Sequence, residues 1–523
     1  MSDVVASARS YAIGDIVRRS ALRVPERTAL VFGDVRYSYA ELDAAVNRVA
    51  NALTGRGVAR GDRVAILSRN SDAYVLASIA LARLGAVAVP VNFMLGAAEV
   101  GFILGHSGAS AVIASQALAP VASEAMAGLP DPSVVALRVV VGSAPGWVSF
   151  AELVEGADPW VPAVEIADDE VLQLMYTSGT ESRPKGVMMT SRSMISQYVS
   201  CIVDGRFEAA DVEVHALPLF HVAAQHCFLM PGLYVGATNI VVDGPDPASV
   251  LATIEAERAS KFFCPPTVWI ALLRHPDFDR RDLSSLTKAY YGASIMPVAV
   301  IEELCARLPG LALFNFYGQT EMSAVALVLS PEDALRKAGS AGRAALNVET
   351  RLVDEFGDDV PVGVAGEIVH RSPHATAGYW NDQDKTAEAF RDGWFHSGDL
   401  GVADEDGYIT VVDRIKDMIK TGGENVASRE VEEVLYRHPA VAEVAVFGIA
   451  DPRWVETVVA AVVAREGTSL DPDEVIAFCR QHLAGFKTPK HVVVLDQLPK
   501  NASGKVLKRD LRATVTVTVT VTD

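Results

Sequence analysis

Cysteine is scarce and unpatterned in this chain. Cys201, Cys227, Cys264, Cys305 and Cys479 are the five present in 523 residues, and no two form a Cys-x-x-Cys pair. An odd, scattered set argues against a disulfide frame or a thiolate zinc site and reads as reduced thiols in a cytoplasmic protein. Positive charge is short as well. Lys+Arg 46 against Asp+Glu 65 gives a formal net charge of −19, so the basic face that a general nucleic-acid binder needs is not expected. Residues 1–18 lack a continuous apolar stretch, so no secretory signal is expected. The run 216–241 carries no Asp, Glu, Lys or Arg and is long enough to span a bilayer. It also holds Pro218, His221, Gln225, His226, Pro231, Gly232 and Asn239, which are costly or helix-breaking in lipid. It therefore reads as buried core and pocket wall, not as a transmembrane segment.

What is present points to an α/β protein of more than one domain, since a chain of this length exceeds one core. Ser38 is placed to cap a helix with Glu41 in its first turn, and Leu42, Val46, Val49, Ala50 and Leu53 form its apolar stripe. A turn and buried strand at 61–67, a helix at 72–84 and a strand at 85–91 make βαβ spacing, hence a parallel sheet with covered faces. A short strand is expected at 111–114 and a helix near 193–202. Short alternating segments at 350–353, 366–370 and 408–412, with Gly and Asp turns, suggest a small antiparallel β subdomain. Past the charged run 412–417 a second body follows: helix 431–435, strands 440–448 and 458–463, helix 472–483 and strand 491–495. The expected division is 1–413, 414–512 and a Thr-Val tail, 513–523. Its two-residue alternation is β-prone without a visible partner, so the tail is expected to be disordered.

Chemistry concentrates at strand ends. After the mostly apolar strand 171–175, the stretch 176–187 crowds Thr177, Ser178, Gly179, Thr180, Ser182, Lys185 and Gly186 together. Glycine lets backbone N–H groups wrap an anion, hydroxyls add donors and lysine adds charge, a combination suited to polyphosphate. The Walker spacing is absent and Pro184 precedes the lysine. Three further strand-to-turn junctions, 262–267, 290–294 and 313–321, end in small or aromatic residues and imply one cleft at the carboxyl edge of a sheet. A strand over 215–221 ends in Phe220-His221, where ligands of α/β sheets bind.

The loop 176–187, the run Asn-Phe-Tyr-Gly-Gln-Thr-Glu at 315–321, Ser-Gly-Asp-Leu at 397–400, Asp-Arg-Ile-Lys at 413–416 and Leu-Pro-Lys-Asn-Ala-Ser-Gly-Lys-Val at 498–506 occur in this order. Together they resemble the adenylate-forming superfamily of acyl-CoA synthetases, amino-acid adenylation domains and firefly-type luciferases, over residues 11–512. The resemblance implies a large N-terminal domain of parallel-sheet α/β subdomains plus a β subdomain, and a small mobile α+β C-terminal domain. It implies ATP, Mg2+ and CoA. Thr177, Ser178, Gly179, Thr180 and Lys185 would bind phosphate. Gly292, Ala293, Ser294, Asn315, Phe316, Tyr317 and Gly318 would enclose the adenine, with Tyr317 stacked on it. Thr320 would touch the α-phosphate and Glu321 would hold Mg2+. Asp399 and Arg414 would contact the ribose, Lys420 would join the ATP set, and Lys416 falls on the hinge. Lys505 would bridge substrate carboxylate and α-phosphate, and His221 would lie beside the acyl group. The acid pocket is drawn from His221, Val222, Gln225, Thr267, Phe316 and Gly318.

Three departures from the family pattern stand out: Glu181-Ser182-Arg183 in the phosphate loop, Phe316 before the tyrosine, and Ala427-Ser428 after Glu-Asn-Val. Glu181 is expected to turn outward, and Phe316 to narrow the acid pocket. Gly318 is expected to leave the pocket floor open. The expected reaction is acid plus ATP to acyl-adenylate and pyrophosphate, then CoA thioester and AMP, on a fatty or aryl acid. No acidic residue stands out to bind a substrate amine. The alternatives are delivery of the activated acid, or of an oxyacid such as nitrite, to an amine or carrier protein, and a luciferase-like oxidation. The oligomeric state is left open, a homodimer being one option.

Overall fold

The structure is a computed structural model; it describes residue 8 and residues 10–522, apart from 163, 178–183, 295, 452, 502 and 503. Its strands form four sheets. The seven-stranded sheet runs in the order Val148–Ser149, Leu137–Val141, Ala111–Ser115, Arg63–Leu67, Val87–Pro90, Val171–Thr177, Lys185–Thr190. Its neighbours are parallel except the last two, which form an antiparallel hairpin. The nine-stranded sheet is parallel from Ala312–Tyr317 through Lys288–Gly292, Lys261–Phe263, Val212–His215 and Thr238–Val241 to Thr28–Phe32. Antiparallel strands finish both of its edges. Three of the junctions read from sequence are therefore adjacent parallel strands, and their carboxyl ends open on one side.

The helices follow from their sequence signals. Ser38 and Glu41 form a reciprocal capping box at the start of Tyr39–Gly55, which buries Leu42, Val46, Val49, Ala50 and Leu53. The helix Asp72–Leu84 buries every residue from Ala73 to Leu84. It contacts strands of both large sheets, which explains why no polar face is present. The antiparallel subdomain comprises Glu349–Val353, Ala365–Arg371, Trp394–Ala403 and Ile409–Arg414. The C-terminal body pairs Val441–Asp451 with Val455–Ala464 and adds His491–Val494 in parallel, with helices Ser428–Tyr436 and Pro472–His482. Two short strands unread in the sequence, Ile419–Thr421 and Glu424–Val426, flank the Gly422-Gly423 turn.

Two expectations need correction. The strand expected over 215–221 ends at His215; the chain then turns and enters a π-helix, Ala223–Leu229, which continues into Met230–Val235. The tail is a helix, Lys508–Thr522. Leu511 and Val515 bury themselves against Ala445, Phe447 and Ile449. Once that docked turn is formed, each further residue adds a hydrogen bond at little entropic cost, which overrides the β preference of Thr and Val. Among the described residues no helix is long and apolar enough to cross a membrane.

Candidate active site

The strand Trp394–Ala403 brings Asp399 opposite Arg414, the last residue of Ile409–Arg414. Arg414 Nε lies 3.0 Å from Asp399 Oδ1. On the other oxygen, Tyr317 Oη donates at 2.7 Å and Gln319 Nε2 at 2.8 Å. One carboxylate thus joins the β subdomain to the edge of the nine-stranded sheet. Asp399 is 4% exposed, yet its Oδ1 accepts no well-directed hydrogen bond, because the Arg414 contact is close but poorly aligned. A buried acceptor with spare capacity fits a ligand that brings hydroxyl donors. Burial, reinforced by Asp399, raises the Tyr317 phenol well above its ordinary range, so Tyr317 stays a donor.

Next to this clamp lies the phosphate side. Thr177 and Lys185 pair across the mouth of the hairpin. Ser178, Gly179, Thr180 and Glu181 lie outside the described residues, and so does the expected outward turn of Glu181. The hairpin's free edge is covered by residues 377–380: Trp380 N–H donates to Gly186 O at 2.7 Å and Met188 N–H to Gly378 O at 2.9 Å. From this segment Tyr379 Oη donates to Glu321 Oε1 at 2.7 Å. Lys185 Nζ sits 5.2 Å from the Tyr379 ring centre, within cation–π range. One ring therefore links the loop lysine to Glu321. Thr320 heads the short turn Thr320–Met322, held by Ala326 N–H to Tyr317 O at 2.8 Å.

The third side is built by the C-terminal body. Thr267 Oγ1 donates to Gly504 O at 3.2 Å, tying the residue before Lys505 to the segment that follows strand Lys261–Phe263. Lys505 is solvent-accessible, yet its ammonium is lowered to about 8, first by the Arg414 guanidinium and then by the surrounding protein. Burial, helped by the Lys505 charge, brings His221 down to about 4. His221 is thus neutral; its Nδ1 accepts from Ala223 N–H at 3.3 Å, leaving Nε2 as a donor. The Lys505 charge is near enough to act on His221, and a cation beside a neutral N–H donor is a pairing suited to a carboxylate.

Two sequence profiles match the chain: the AMP-binding enzyme over residues 17–380 and the AMP-binding enzyme C-terminal domain over residues 430–505. The chain belongs to the AMP-binding enzyme family. Within the family, a feruloyl-CoA synthase from Amycolatopsis sp is 40% identical over 96% of this chain and 99% of its own. The long-chain-fatty-acid–CoA ligase FadD13 of Mycobacterium tuberculosis is 37% identical over 97% of this chain and 99% of its own. Among solved structures, the anthranilate CoA ligase AuaEII in complex with anthranoyl-AMP superposes with a TM-score of 0.91 at 28% identity, over 97% of this chain and 98% of that one. This member of the family is an AMP-forming acid–thiol ligase, with ATP and CoA as substrates.

The remaining residues of the family pattern take varied places. Gly292 lies where a Cβ would meet Phe316 O at 2.3 Å, and Ala293 next to it holds a φ of 64°. Asn315 spends its Nδ2 on Ser340 O at 3.0 Å. Gly318 does not open a floor: a Cβ there would lie 2.0 Å from Ala324 O, so the tight turn requires glycine. Nor does Phe316 project into an open pocket. It is 5% exposed and packs among Phe207, Phe228 and Tyr290. Val222 is buried in the same core. Lys416 lies in the turn after Arg414. Lys420 is exposed on Ile419–Thr421, and among the described contacts none ties it to Asp399 or Glu321. Ser428 caps a connection, its N–H and Oγ donating to Asp413 Oδ2 at 2.7 and 2.8 Å. Tyr379 and Gln319 were missed in the sequence. Their only signal was an aromatic pair after a turn glycine and one amide inside a known run.

Proposed function

We propose that this ligase activates an aryl or fatty acid at the edge shared by Asp399, Glu321, His221 and Lys505. The observation carrying this reading is the Asp399 clamp: a buried carboxylate with an underused oxygen, held by Tyr317, Gln319 and Arg414 beside the Lys505 loop. Asp399 accepts the ribose hydroxyls and Arg414 steadies that end. The acid oxygen attacks the α-phosphorus, forming a C–O–P bond while the α–β phosphoanhydride breaks and pyrophosphate leaves. Both reactants are anions, so the step is driven by positioning and by cations aimed at the growing charge. Lys505 supplies that charge between carboxylate and α-phosphate, with Thr320 donating nearby and His221 Nε2 orienting the acid. Glu321 spends one oxygen on Tyr379. Its other oxygen fits Mg2+ brought with ATP, which needs only one or two protein carboxylates beside phosphate and water. In the second step the CoA thiolate attacks the acyl carbon and AMP departs. The relatives named for feruloyl, fatty acyl and anthranoyl groups support this class of acid. Five free cysteines, four of them buried, support a reducing, cytoplasmic setting.

The test is acid-dependent exchange of pyrophosphate into ATP, with hydroxylamine trapping of the adenylate, over aryl and fatty acids. Exchange is expected with acid alone, and steady AMP release only after CoA is added. AMP release that needs an amine and ignores CoA would overturn the thioester step.

A further inference from the structure

One turn beyond His221 the π-helix presents Gln225, whose N–H donates to His221 O at 3.2 Å. Gln225 belongs to a buried chain of polar side chains. Its Nε2 donates to Ser78 Oγ at 3.2 Å and its Oε1 accepts from Gln173 Nε2 at 3.0 Å. Gln173 Oε1 in turn meets His226 Nε2, and His226 Nδ1 meets Tyr198 Oη. An amide oxygen only accepts, so His226 carries its proton on Nε2 and Tyr198 donates to Nδ1. Burial keeps that imidazole neutral by lowering it to about 3. The whole chain is sealed, from Tyr198 at 0% exposure to Ser78 at 6%. Behind it lies a void of about 10 Å3, room for one water, lined on its apolar side by Ile13, Ile79, Ala82, Leu172 and Met230.

The rings packed beside it belong to the hydrophobic core. Phe228 stacks on Phe263 at 4.1 Å and on Phe316 at 5.7 Å. All three rings are buried, at 1%, 5% and 5% exposure, so they close that side of the helix and leave no room along them. A long chain cannot pass Gln225 without breaking satisfied buried hydrogen bonds, each worth on the order of tenfold in affinity. It would then enter a space that holds one water.

Resting on the ligase reading above, we infer that the Ser78–Gln225–Gln173–His226–Tyr198 chain is the floor of the acid site. Gln225 is its specificity-determining residue, and it limits the substrate to a compact acid in preference to long straight-chain acids.

The test is kcat/KM for pyrophosphate exchange by the full chain across benzoate, cinnamate and straight-chain acids from butyrate to palmitate. In the native enzyme the value is expected to peak at a compact acid and fall at least about tenfold by laurate. Gln225→Ala removes two hydrogen bonds and joins the void to the pocket. The ratio of laurate to the best compact acid is then expected to rise at least about tenfold. Laurate or palmitate matching the best compact acid in the native enzyme would overturn the floor, whether or not the variant folds. So would a Gln225→Ala enzyme with native melting temperature and an unchanged ratio. Exchange with no acid at all would instead overturn the ligase reading and the floor that rests on it.

Discussion

Lys261 and Lys505 carry the same ammonium into two different regions. Lys261 opens a central strand of the nine-stranded sheet and is 1% exposed, its Nζ 2.9 Å from Glu213 Oε2. The rings of Phe228 and Tyr290 close over it at 5.3 and 5.2 Å. Lys505 stands on a loop, accessible to solvent, where the Arg414 guanidinium acts on its ammonium more strongly than Asp399 or Asp417 does. Both ammonium groups are held below their ordinary range, Lys261 chiefly by burial and Lys505 chiefly by Arg414. A lowered pKa therefore does not mark a working lysine. The partner does. A charge sealed with its counter-ion is structure, whereas an accessible charge repelled by its neighbours is ready for an arriving anion.

Substitutions at the two positions should pull this contrast apart. Lys505→Ala is expected to reduce acid-dependent exchange on the order of a thousandfold, the loss typical of one donor aimed at a developing charge. Its unfolding midpoint should match the native one, and near-native exchange in this variant would end the assignment. Lys261→Met should do the reverse, since it leaves Glu213 buried without its partner. Denaturant unfolding is expected to show a loss of about 3–5 kcal/mol, with the double variant Lys261→Met, Glu213→Leu recovering most of it. If the single variant is as stable as the native chain, the sealed pair is not what holds that strand. The smallest effect is in pH. Lys505 acts as a cation, which is full below its pKa and lost above it. So kcat/KM for exchange should be flat below pH 8 and fall about tenfold per unit above it. Lys505→Arg should remove that fall. His221, at about 4, is neutral throughout such a profile and contributes no break to it.

Periodic elements were legible in the sequence because one face of each is written in its own residues. The capped helix Tyr39–Gly55 and the all-buried Asp72–Leu84 are examples. Thr320, Glu321, Asp399 and Lys505 could be named as candidates for a related reason, since each sits in a short run of recognisable neighbours. What stayed hidden are partnerships between distant elements. Tyr379 finds Glu321 across 58 residues and Gln319 finds Asp399 across 80. Neither pattern nor composition reports on such a meeting. The same holds for the polar chain around Gln225, where Gln173 and His226 are 53 residues apart. Gly318 shows the limit most plainly. A missing side chain reads as space in a sequence, while in the fold the space is taken by the Ala324 carbonyl.

That crowding at Gly292 and Gly318 has a consequence for substitution. With this backbone, a side chain added at either position meets a carbonyl oxygen, so a change there requires the neighbouring strand or turn to move with it. On the helical side of the cleft side chains meet side chains, so a change of residue there asks for no such movement of the backbone.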